Sequence, residues 1–205
     1  MIVLQEIFGV NSHIRSVADR YAQEGFLAVA PALFDRVVPG VELEYTDEGR
    51  QQGISLAGKL SPEAVLRDIE AAIVHARGAV RSGKVAVVGY CLGGSYAWLS
   101  ATRLSPDAAV GYYGSKIAAA VGEEPRCPVI LHFGRNDKGI PLEQVEKIQA
   151  ARPGLPVYLY EAGHGFNRDG SPAFVGEAAG LAFSRTLELL RNTFQRPTRP
   201  NASPA

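Results

Sequence analysis

A cysteine set between glycines at the end of an apolar run is the residue of this sequence best placed to do covalent chemistry. The stretch Lys84-Val-Ala-Val-Val-Gly-Tyr-Cys-Leu-Gly-Gly-Ser reads as a buried strand that runs into Gly89-Tyr90-Cys91-Leu92-Gly93 and then into a helix. A sharp strand-to-helix turn crowds backbone against backbone, so Gly89 and Gly93 remove Cβ atoms that would clash there. The thiol is thereby presented at the end of a sheet and at the start of a helix. The free N–H groups and positive dipole end of that helix favour a thiolate and can hydrogen-bond a developing oxyanion, with the Leu92 N–H as the natural first donor. The competing reading is that Cys91 is a small buried residue, as free cysteines often are. Ser95, also beside glycines, falls about one helical turn past the junction and ranks below Cys91 as a nucleophile. Cys127, just before Pro128, reads as packing.

A thiol nucleophile needs a base, and the chain has four histidines. His13 and His75 lie in helical patterns and His132 lies in an apolar strand, where a surface or core role is the plainer reading. His164 differs: in Glu161-Ala162-Gly163-His164-Gly165-Phe166 it follows a strand on a glycine-flanked loop. Asp137 likewise follows a strand in His132-Phe133-Gly134-Arg135-Asn136-Asp137, although alone it would read as a loop or capping residue. Nucleophile, acid, histidine is the chain order of α/β-hydrolases. Glu6 sits inside an apolar segment, and buried acids are rare unless paired. It either orients or deprotonates Cys91 or neutralises an arginine; the next residue, Ile7, offers a second oxyanion N–H. Arg36 and Arg168 follow strands too, and two guanidinium forks near one nucleophile would imply an anionic substrate, whereas either one alone reads as a solvated loop charge. No HExxH or clustered Cys/His spacing points to a metal, and Gly89–Gly94 lacks the spacing that admits a dinucleotide, so no cofactor is expected.

The elements that must hold these residues are legible as short apolar runs alternating with helical patterns, the signature of a mostly parallel sheet covered by helices on both faces. The runs 2–8, 26–33, 84–90, 108–113, 129–134 and 156–161 read as strands. Asn11 or Ser12 can cap a helix that stops at Gly25, and Ser61-Pro62-Glu63 places a cap, a first-turn proline and an acid in the favoured order. Further helices are expected over about 93–104, 142–151 and 173–194. With 205 residues and 46% hydrophobic content, one domain over 1–195 is expected, and the proline-rich tail 196–205 reads as disordered. The first strand begins at residue 2, whereas a complete domain of this class usually carries further strands before it. The expectation is therefore a sheet short of two leading strands, with the edge at 26–33 left unpaired and inclined to associate.

Twenty-one basic residues balance twenty-one acidic ones with no long run of either sign, which leaves no electrostatic footprint for nucleic acid or a membrane surface. The two cysteines suit a reducing cytoplasm, and no apolar stretch approaches the roughly 20 residues needed to span a bilayer. The expected partner is a small molecule and the expected state a monomer.

Together the motifs Gln5-Glu6-Ile7-Phe8-Gly9-Val10-Asn11, Gly89-Tyr90-Cys91-Leu92-Gly93-Gly94, Val110-Gly111-Tyr112-Tyr113-Gly114 and Ala162-Gly163-His164 with Phe166 and Arg168 resemble the dienelactone hydrolase (carboxymethylenebutenolidase) family from residue 2 to about residue 190. The resemblance implies an α/β-hydrolase fold, a triad of Cys91, His164 and Asp137 with Glu6 beside the thiol, and oxyanion donors at Leu92 and Ile7. It also implies substrate-carboxylate contacts at Arg36 and Arg168 and pocket walls at Tyr112 and Tyr113. The implied reaction opens a small carboxylate-bearing enol-lactone or ester through a Cys91 thioester. The alternatives are a broader carboxylesterase or thioesterase on the same scaffold and a non-catalytic small-molecule binder. The family's two extra leading strands have no counterpart here, and the segment 49–60 lacks the aromatics that some members place over the pocket.

Overall fold

A computed structural model describes residues 1–195, so the tail 196–205 lies outside the described residues. The chain runs β1 (Ile2–Leu4), α1 (Ser12–Gln23), a 3-10 turn (Leu33–Arg36), α2 (Asp47–Gly58), α3 (Pro62–Ala79), β2 (Ala86–Tyr90), α4 (Leu92–Arg103), β3 (Ala108–Tyr112), α5 (Ile117–Ala120), β4 (Val129–Gly134), α6 (Leu142–Ala151), β5 (Val157–Tyr160) and α7 (Gly176–Gln195). Among the described residues the five strands form one parallel sheet in the order β1-β2-β3-β4-β5, each joined to the next by a crossover containing a helix. This is the α/β-hydrolase arrangement of a parallel sheet flanked by helices.

The strands are apolar because both faces are covered. Ile2 and Leu4 enter one apolar cluster with Val65, Ile69 and Ile73 of α3. Val3 between them enters the other, with Ile14, Val17 and Tyr21 of α1 and Ala182, Leu187 and Leu190 of α7. A period of two along the strand thus feeds two cores at once. The central helix α4 contributes to both, with Tyr96 and Ala97 on one side and Trp98 and Ala101 on the other.

Several expected elements differ at their ends or in kind. The run 2–8 is strand only over Ile2–Leu4, because Gly9 at φ +80° turns the chain and Glu6 bridges to it. The run 26–33 is not a ladder strand: it meets β1 at one parallel bridge, Ile2 to Val29, where the Val3 N–H donates to Val29 O and the Val29 N–H to Met1 O. Pro31 follows without an N–H, which prevents the pairing from extending. Helix α2 was not legible because Gly49, Gly53 and Gly58 dilute its pattern. A Thr46 side-chain cap on the Gly49 N–H starts it all the same. Among the described residues no helix is long and apolar enough to cross a membrane.

Candidate active site

The junction between β2 and α4 sets the position of Cys91. Its backbone is held at φ 55°, ψ −110°, a strained left-handed setting for a residue with a Cβ. Two contacts enforce it: the Cys91 N–H donates to Tyr112 O of β3 at 3.0 Å, and the Cys91 carbonyl accepts from the Ser95 N–H at 3.2 Å. The flanking glycines are required by close approach. A Cβ on Gly89 would lie 1.9 Å from Gly93 O, and one on Gly93 would lie 2.4 Å from Leu4 O. The Gly93 N–H donates to Gln5 O at 2.9 Å, tying the helix start to the loop after β1. The Leu92 N–H, first in the helix, has no intrahelical acceptor.

His164 and Asp137 arrive on loops after β5 and β4. The Asp137 side chain is fully buried, and its Oδ1 accepts from the Gly139 N–H at 2.8 Å and the Ile140 N–H at 3.1 Å. Its Oδ2 accepts from His164 Nδ1 at 2.7 Å, and the opposite ring nitrogen, Nε2, lies 3.1 Å from Cys91 Sγ. Burial pulls the His164 pKa down, but hydrogen bonds to Asp137 and Cys91 and the charges of both outweigh it, raising the pKa to about 10. The structure therefore brings together three side chains that the sequence spreads over 73 positions.

Glu6 is buried at the turn after β1, and not within a strand. Arg168 Nε donates to both its carboxylate oxygens, at 3.0 and 2.8 Å. The same guanidinium lies over the rings of Phe8 and Tyr45, 5.1 and 5.4 Å from their centroids. Gly165 at φ +77° lets the loop fold Arg168 back, since a Cβ there would lie 2.6 Å from Arg168 Cζ. Ile7, Cys91 and Leu92 line a cleft of about 280 Å³ together with Ile54, Ala57 and Gly58 of α2. Gly53 lets α2 approach: a Cβ there would lie 2.1 Å from Ile7 O.

Other expected site residues are placed elsewhere. Arg36, read as a carboxylate contact, is exposed, its Nη2 donates to Asp68 at 2.6 Å, and it does not line the cleft. A surface pair with α3 satisfies the fork that was assigned to substrate. Tyr112, read as a pocket wall, is fully buried with its hydroxyl 2.7 Å from Thr186 Oγ1, so it packs the core. Tyr113 is the one that approaches the chemistry: its ring centroid lies 5.0 Å from that of His164, its φ is 37°, and its buried hydroxyl has no partner among the described residues. His132 is a core residue, with Nδ1 2.8 Å from the Tyr160 hydroxyl and burial pushing its pKa down to about 3. A larger groove of about 560 Å³ opens at the strand entrances around Cys127, Pro128 and Arg152. It contains none of the triad, and burial there drives the Cys127 thiol up to about 12. Residue types alone do not single out Tyr45, which covers Arg168, or Lys116, which lines the cleft; the position of Lys116 just past the Tyr-Tyr-Gly motif is the available signal. Among the described residues no group of three or more metal-ligating side chains is assembled.

The sequence profile of the dienelactone hydrolase family matches residues 1–194. A carboxymethylenebutenolidase of Pseudomonas putida is 40% identical over 198 residues, covering 93% of this chain and 84% of that protein. Carboxymethylenebutenolidase 1 of Cupriavidus pinatubonensis is 36% identical over 197 residues, again covering 93% and 84%. A solved structure from Klebsiella pneumoniae superimposes with a TM-score of 0.79 at 31% identity, over 91% of this chain and 84% of that one.

Proposed function

The chain belongs to the dienelactone hydrolase family, and from that premise we propose that it opens a small carboxylate-bearing enol-lactone through a thioester on Cys91. The observation that carries this reading is the 3.1 Å approach of His164 Nε2 to Cys91 Sγ, with the far side of the ring held by Asp137. A thiol, an imidazole and a carboxylate in this line form the relay that acyl transfer needs.

In the proposed cycle Glu6 begins paired with Arg168, as it is in the free chain. An arriving carboxylate competes for Arg168 and frees Glu6 to accept the Cys91 proton. The thiolate attacks the lactone carbonyl, and the oxygen takes up negative charge facing the Leu92 and Ile7 N–H groups. The C–O bond of the ring breaks, and the leaving enolate takes the proton that His164 carries at its raised pKa as it becomes a ketone. His164, oriented by Asp137, then takes a proton from water as the hydroxide attacks the thioester carbon. The Cys91 sulfur departs and takes its proton back from Glu6, which returns to Arg168, and the second carboxylate forms. Energy gained at the remote anion serves to orient the reacting carbonyl.

The test is turnover by the purified chain and by its Cys91→Ala form, on a dienelactone and on a panel of aryl esters. The expected result is lactone hydrolysis by the first and none by the second, with unchanged circular dichroism. Unimpaired turnover by the alanine form would reject Cys91. A broader carboxylesterase reading is favoured by one feature: the cleft adjoins a second pocket of about 350 Å³ that shares Leu92, Ser95 and Lys116 with it. Faster turnover of aryl esters than of the lactone would select that reading.

A further inference from the structure

Three arginines that could meet an anionic substrate are already engaged. Arg168 is held by buried Glu6, Arg36 by Asp68 on the outer surface, and Arg103 by Glu123. Recruiting Arg168 means breaking a buried pair, which is unfavourable until a replacement anion is in place. Lys116 differs from all three. It lines the cleft beside Cys91, Leu92 and Ile7 and also the adjoining pocket, and among the described residues it pairs with no carboxylate. The two acids of the adjoining pocket do not neutralise it: Glu123 accepts from Arg103 and Thr102, and Glu63 accepts from the Ser61 hydroxyl.

The backbone of Lys116 is also fixed relative to the thiol. Its N–H donates to Ser95 Oγ at 3.1 Å, and the Ser95 N–H in turn donates to Cys91 O. Gly114 presses the same segment onto α4, because a Cβ there would lie 2.7 Å from Gly94 C and 2.7 Å from Ser95 N. Ser95, a hydroxyl within one helical turn of the nucleophile, is thereby accounted for as a clamp between the helix and this loop.

We propose that Lys116 is the specificity-determining cation that captures the substrate's carboxylate at the mouth of the cleft, with Ser95 as the positioning residue that fixes its backbone. The proposal rests on the enol-lactone reading above and adds to it the group that first meets the anion. Capture at Lys116 delivers the carboxylate into the cleft before the Glu6–Arg168 pair opens.

The experiment compares Lys116→Gln and Lys116→Arg with the unmodified chain on a dienelactone and on the neutral methyl ester of the same acid. Loss of a charge-assisted contact is expected to lower kcat/KM for the anion by about tenfold or more. The loss should appear in KM, with the methyl ester affected by less than about twofold. Arginine should restore most of the loss, and added salt should raise KM for the anion in the unmodified chain more than in the glutamine form. Equal losses on anion and ester, or no loss on the anion, would overturn the proposal. Calorimetric binding of the dienelactone to Cys91→Ala protein, with and without Lys116→Gln, separates this from the reaction itself. Weaker binding in the glutamine form supports Lys116 even if the unmodified chain turns nothing over, an outcome that would count against the hydrolytic reading alone. Unchanged binding overturns the role of Lys116.

Discussion

At the residue scale, burial and partners decide what each ionisable group does. His164 has its pKa raised to about 10 from 6.5 because Asp137 and Cys91 outweigh the effect of burial. A raised folded-state pKa adds stability in full below the unfolded value and loses it as pH climbs toward the folded one. Urea unfolding should therefore show stability declining between about pH 6.5 and 10 by up to about 1.4 kcal/mol per pH unit, and a His164→Gln form should lack that slope. Identical slopes would reject the ion-paired imidazole. The Glu6–Arg168 pair carries a second prediction: a small dicarboxylate should speed alkylation of Cys91 by iodoacetamide, because displacing Glu6 supplies a base for the thiol. A rate unaffected by ligand would remove the gating step. These roles were unevenly legible. Cys91, His164 and Asp137 stood out through glycine spacing and chain order, whereas the pairing of Glu6 and the capture of Arg36 by Asp68 depend on a turn and a helix that residue types do not reveal.

At the element scale, glycines record where backbones touch. Gly53 lets α2 rest on the Ile7 carbonyl, so Gly53→Ala must push the Ile7 loop away from the thiol. The expected cost is about 1–3 kcal/mol of stability together with a fall in kcat, read by thermal melts and lactone turnover. Gly180, on the exposed side of α7 with nothing within 4 Å of an added Cβ, is the contrast. Gly180→Ala should stabilise the chain by about 0.5–1 kcal/mol and leave turnover alone. Destabilisation at both positions would contradict the close-approach account. The same glycines explain why α2 escaped sequence reading: residues chosen for contact with Ile7 and Glu44 erase the helical periodicity that would have announced it. By contrast β2, β3 and β4 were legible almost to the residue, because doubly covered strands are continuous apolar runs. The run 26–33 carried the same composition and still failed as a strand, since partner geometry and Pro31 decide whether a run joins a ladder.

For the whole molecule, the sheet is a shared wall between two apolar clusters, and α4 is anchored in both. The nucleophile therefore sits at the start of an element packed into both clusters. Trp98, the only tryptophan, is fully buried on α4 and donates its indole N–H to Ala120 O at 3.0 Å. Its fluorescence reports the cluster on its own side of the sheet, and because α4 is shared by both clusters the fluorescence and circular dichroism melting curves should coincide. Separate transitions would show that the two sides of the sheet unfold independently.

The central claim is that the Cys91 sulfur becomes acylated in turnover. It is tested most directly by mixing the chain with a dienelactone, quenching in acid during the first turnovers and mapping the modified peptide by mass spectrometry. The account predicts one acyl group, labile to hydroxylamine, on Cys91. Full turnover with no adduct, or an adduct on Ser95 in its place, would contradict it.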